Sequence, residues 1–196
     1  MRSCILSAAF ALATAPSALA QPGDIWEPCL TADASMEGVI AAFQADGWTF
    51  PADNESHVDN LKAAAEVLLS MQNLPPVETG EAFDRHIAVA HERAEQAFID
   101  SPTLQRDDLS VTIEAYENAG GMIRCTIAGT DFADVTDALA ASGDDVVVNK
   151  GRQSLMVRPD IATGQASVTY YALETPQDAT AEALGPLAVV LTRHLQ

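Results

Sequence analysis

The chain has 196 residues, with 28 Asp or Glu against 10 Lys or Arg, a formal net charge of -18, and its two lysines, Lys62 and Lys150, belong to no basic cluster. Nucleic-acid affinity rests mainly on neutralising phosphates with Lys and Arg, so this balance excludes a nucleic-acid partner and disfavours an anionic membrane surface. The length suits one core that buries roughly 70% of its unfolded surface, with no repeat or low-complexity tract to divide it.

Met1-Arg2, an apolar run through Ala15, Pro16 and the tripeptide Ala18-Leu19-Ala20 before Gln21 have the order of a secretory signal. The apolar run is too short to span a bilayer, so cleavage after Ala20 is expected to release residues 21–196 as a single domain in the periplasm or medium. Processing removes one Arg and no acid, moving the charge from -18 to -19 and leaving 176 residues. Neither Cys4 nor Cys29 follows the small-residue run at which lipid attachment occurs. Later segments fall short of the 18 or so apolar residues of a membrane span, so no membrane insertion is expected after cleavage.

Residues 21–30 hold Pro22, Gly23, Trp26 and Pro28 and read as an extended lead-in. A first helix is expected over 34–46, with Met36, Val39, Ile40 and Phe43 inward, Asp33 or Ser35 as cap, and Gly47-Trp48 as its left-handed end. A second starts at 54–56 and carries Val58, Leu61, Ala65, Leu68 and Leu69 until Pro75-Pro76 stops it. A third, over 81–98, turns Phe83, Ile87, Ala90, Ala94 and Ala97 to one side, with Thr79 as cap.

Leu109, Val111, Ile113 and Ala115 then alternate with Ser110, Thr112, Glu114 and Tyr116, and Ile123, Cys125 and Ile127 alternate with Met122, Arg124 and Thr126. That period of two, broken by Gly120-Gly121, predicts a hairpin dry on one face and wet on the other. Thr130 caps an expected short helix with Phe132, Val135, Leu139 and Ala140 inward, closed by Gly143. Residues 146–148 suit a short strand or a bend, 153–158 and 165–173 are strands, and a last helix from about Asp178 contains Gly185-Pro186. The order predicts an α+β fold: an N-terminal three-helix region packed on a four- to five-stranded, mainly antiparallel sheet, with a crossover helix and a C-terminal helix.

Candidate chemistry is sparse. His86 and His91 lie about 140° apart on the third helix and cannot share a metal there. His91 and Glu95 share a face, but the stretch lacks the second His of a His-Glu-x-x-His zinc helix. Asp131, Asp134 and Asp137, and the patch Asp53, Asn54, Glu55 and Asp59, lack the Asp-x-Asp-x-Asp-Gly loop of a calcium site, and helix-start carboxylates suit the dipole. Nucleophile-elbow, phosphate-loop and dinucleotide-turn signatures are absent, so no catalytic residue, metal or cofactor is expected. Tyr116, Arg124, Tyr170 and Tyr171 are the side chains able to act as recognition anchors on a sheet.

After processing Cys29 and Cys125 are the two remaining cysteines, and in an oxidising compartment they are expected to pair. Closing that loop would stabilise by about 4 to 5 kcal/mol at most. The signal, the cysteine ahead of the first helix, the Gly47-Trp48 helix end and the Arg124-Cys125 strand together resemble small exported bacterial proteins of unknown function. The resemblance implies the same pairing. The function expected is a non-enzymatic exported domain that binds a partner protein or small ligand through Tyr171, Arg124 and Trp26. The alternatives are a hydrolase or metal-assisted enzyme built on His91, Glu95 and His57, and a structural envelope factor.

Overall fold

The computed structural model describes residues 24–31, 33–51, 80–116, 121–129, 132–149, 152–161, 164–173 and 187–195. Ser35 Oγ accepts from Gly38 N at 3.0 Å and starts helix α1, Met36–Ala45. Gly47, at φ +88°, ends it. Trp48 N then donates to Phe43 O and Gly47 N to Gln44 O, the paired bonds of a Schellman motif. That turn drives Trp48 into the core, where it meets the Phe43 ring edge-on at 5.5 Å. Hydrogen bonds from Ser35, the side-chain hydroxyl first and the backbone N–H to Asp33 Oδ1 second, hold the Asp33 carboxyl below the ordinary value.

Helix α2 spans Gly80–Asp100 and buries Ile87 and Ala90 of its expected stripe. The expected helix beginning at 54–56 lies outside the described residues, as do the Thr79 and Thr130 caps. Among the described residues two helices, α1 and α2, precede the sheet, and α3, Ala133–Ser142, follows the hairpin as the expected crossover helix. Phe132, Val135 and Leu139 turn inward as expected, whereas Ala140 is exposed and Ala138 packs on the core in its place.

The sheet has seven strands rather than four or five. They are β1 Thr103–Arg106, β2 Leu109–Tyr116, β3 Met122–Gly129, β4 Val147–Asn149, β5 Arg152–Val157, β6 Gln165–Leu173 and β7 Leu187–His194. Their spatial order is β1-β2-β3-β7-β6-β5-β4, and every pair is antiparallel. After β3 the chain crosses through α3, which packs against β5, β6 and β7, to the far edge, then returns strand by strand until β7 fills the gap. The expected C-terminal helix is thus overturned from Leu187 onward. Pro186 precedes a continuous apolar run with Val189 and Val190, and such a run suits a strand buried on both faces as well as a buried helix turn.

The register gives each face its residues. Val111, Ile113, Ile123, Cys125, Ile127, Leu191, Val168, Tyr170 and Leu155 lie inward, under Trp26, α1 and α3. The opposite face is not wet throughout, contrary to the expectation from Ser and Thr in the alternation. Ser110, Thr112, Thr126, Ala128, Thr169, Ala188 and Val190 are all buried there. These side chains are short, so a polar letter at those positions marks a thin layer rather than exposure.

Candidate functional site

The outer face changes character towards the end of the sheet where β7 finishes. Gln165 of β6 pairs with His194 of β7, and Ser167 with Thr192. Beyond β5 the chain runs Arg158-Pro159-Asp160-Ile161 and bends at Gly164 before re-entering the sheet at Gln165. Gly164 has φ +81°, and a Cβ there would stand 2.6 Å from the His194 carbonyl oxygen, so the turn closes directly onto the end of β7. Leu195 N donates to Gly121 O at 3.0 Å and ties that same end to the start of β3.

These ends enclose a solvent-open groove of about 520 Å³. Its polar walls include Arg158, Asp160, Gln165, Ser167 and His194, and Met156, Pro159 and Ile161 supply its apolar part. Met156, 59% exposed, is an apolar side chain left in water beside polar groups, the mixed surface that ligand sites show. Arg158 and Asp160 have no hydrogen-bond or ion-pair partner among the described residues. The other arginines whose side chains are described are engaged. Arg85 meets Glu81, Arg106 meets Asp46 at 2.6 Å and lies over Trp48, Arg124 meets Glu114, and buried Arg193 donates to the Thr31 carbonyl.

Arg124, expected as a binding residue, belongs to a self-contained cluster two strands from β6. Its Nε lies 3.0 Å from Glu114 Oε2, its guanidinium covers the Tyr116 ring at 4.9 Å, and it contacts the Tyr116 hydroxyl. Tyr116 OH in turn donates to Glu114 Oε1 at 2.7 Å. Since Arg124 Nε makes no aligned hydrogen bond, its link to Glu114 is charge proximity across the strand pair.

Tyr171 is half-buried on the same outer face, four residues along from Ser167 and two strands from β3. Strand spacing places it roughly 16 Å from Arg124. Trp26 belongs to the inner face, where it is buried and its Nε1 donates to Tyr170 OH at 3.0 Å. The three expected binding residues therefore do not converge. Burial holds the Tyr170 phenol above its ordinary value, opposed by the Trp26 bond and reinforced by Asp24 and Asp134. Tyr171 is raised too, again by burial, with a Thr169 hydrogen bond acting the other way.

Cys29 and Cys125 are joined as a disulfide, Cα to Cα 6.4 Å, and both are fully buried. The bridge fastens the 3-10 turn Glu27–Leu30 to the centre of β3. The rival histidine site is only partly in view. His57 lies outside the described residues, as do the side chains of His86 and Glu95, and Glu92 is exposed. Among the described residues no three His, Cys, Asp or Glu side chains could hold a metal ion, and no helix is long and apolar enough to cross a membrane.

The groove escaped sequence reasoning because its walls come from residues within 156–161 and 164–167 and from His194, which β7 brings together only by inserting beside β6. The one local signal was Arg158-Pro159-Asp160, two opposite charges across a proline in what reads as a mere connection. No protein-family model, curated protein or solved structure matches the chain.

Proposed function

We propose that this is an exported, non-enzymatic binding protein whose ligand is a small charge-bearing molecule held in the groove between the β5–β6 connection and the end of β7. The observation that carries the reading is the pair Arg158 and Asp160, unneutralised within the described protein and facing a cavity of ligand size. Gln165 and Ser167 add hydrogen-bonding groups on a strand, where position is better defined than on a loop. Export is supported by the buried disulfide, which persists in oxidising compartments, and by the order of residues 1–20.

A fragment screen of the disulfide-bonded protein by amide NMR tests this. Charged fragments are expected to move the resonances of Gln165, Ser167 and His194. Gln165→Trp, which fills the groove from an exposed position, should abolish those shifts while leaving the melting temperature within a few degrees. Hits that map to other surfaces, or that survive Gln165→Trp unchanged, would remove the groove as the site.

A further inference from the structure

We infer that the groove takes a small zwitterion, a molecule carrying one ammonium and one carboxylate such as a free amino acid or short peptide, an assignment that rests on the groove being the binding site. A protein of net charge -18 repels an approaching anion and attracts a cation. The groove opposes both as single charges. A simple cation drawn in by the field meets Arg158, and a simple anion attracted by Arg158 must first cross the acidic surface and then lie beside Asp160. A molecule with no net charge but a large dipole avoids the long-range penalty and satisfies both side chains, carboxylate on guanidinium and ammonium on carboxylate.

The chain geometry suits a short separation between the two charges. Pro159 restricts Arg158 to extended or polyproline conformations, and two residues of such chain advance roughly 6 Å. One α-amino acid, or the two ends of a folded short peptide, spans that with a hydrogen bond of about 2.8 Å at each charge. Met156, Pro159 and Ile161 offer apolar surface for a side chain beyond the charged head. Gln165 and Ser167 can bond a peptide unit or the remaining carboxylate oxygen.

Calorimetric titration of the mature, disulfide-bonded protein with leucine, leucylleucine, N-acetylleucine and leucinamide decides the matter. At least one of the two zwitterions should bind, and the single-charge anion and cation should bind at least tenfold more weakly. Arg158→Gln and Asp160→Asn should each cost about tenfold, whereas the double exchange Arg158→Asp/Asp160→Arg should recover most of the affinity, because it restores both charges with the ligand reversed. Both substituted positions are exposed, and unchanged melting temperatures confirm folding. Equal binding of N-acetylleucine and leucine would overturn the zwitterion, as would failure of both zwitterions to bind or a double exchange no better than the single changes. In any of these cases the groove itself stands if the fragment screen still maps to Gln165, Ser167 and His194.

Discussion

Replacing both bridged cysteines, Cys29→Ala/Cys125→Ala, should remove a large share of the protein's stability without dissolving the fold. The bridge spans a sequence separation of 96 residues, and the loop-entropy relation gives about 4.7 kcal/mol for a closure of that length at 25 °C. Set against the roughly 5 to 15 kcal/mol that holds a typical domain together, this is a third or more of the total. Much of it is lost through the unfolded chain. In the folded state two other ties flank the Cys29 turn: Trp26 Nε1 on Tyr170 OH, and Arg193 Nη1 on the Thr31 carbonyl at 2.5 Å. The turn should therefore stay docked after the bridge is gone. Urea unfolding of the oxidised protein and the double variant measures the difference. We expect a loss of about 3 to 5 kcal/mol and a steeper dependence on urea in the variant, whose unfolded chain is no longer held compact. A loss under about 1 kcal/mol with an unchanged slope would mean that the bridge constrains nothing that folding does not already constrain.

The buried Tyr170 and half-buried Tyr171 phenols make an alkaline prediction. Tyr170 and Tyr171 ionise above the ordinary value when folded, so their contribution is complete below about pH 10 and is lost as pH rises through the folded values. Unfolding free energy should fall above pH 10, and Tyr170→Phe/Tyr171→Phe should flatten that fall; an equally steep fall in the variant would refute the assignment. Trp26→Phe removes the donor to Tyr170 and should cost about 1 to 2 kcal/mol while pushing the Tyr170 ionisation still higher, read by ultraviolet titration. Gly164→Ala needs both a positive φ and space occupied by the His194 carbonyl. It should cost roughly 1 to 3 kcal/mol and weaken any groove ligand, seen as coupled losses in melting temperature and binding.

What was readable in the chain was whatever a few neighbouring residues decide. Ser35 and Gly47-Trp48 bracket α1, and the β2–β3 alternation gave the inner face, because capping and pleat alternation act over a few residues. Pairing of Cys29 with Cys125 was readable for a different reason: reading residues 1–20 as a removed signal leaves no third cysteine to compete. The strand identity of Leu187–His194 was not readable, since a continuous apolar run has no period to betray it, and its place depends on the gap between β3 and β6 that other strands create. The groove inherits that opacity. His194 joins Gln165 only because β7 enters antiparallel between those two neighbours, with a register that puts its last residue against the first of β6. Shifting that register by one residue would turn His194 to the inner face and Arg193 outward. It would lift Arg193 from the Thr31 carbonyl and leave the N-terminal turn without one of its ties. The contacts that fix the core thus fix the site: Arg193, holding the N-terminal turn from below, sets which side of the sheet the neighbouring His194 must face.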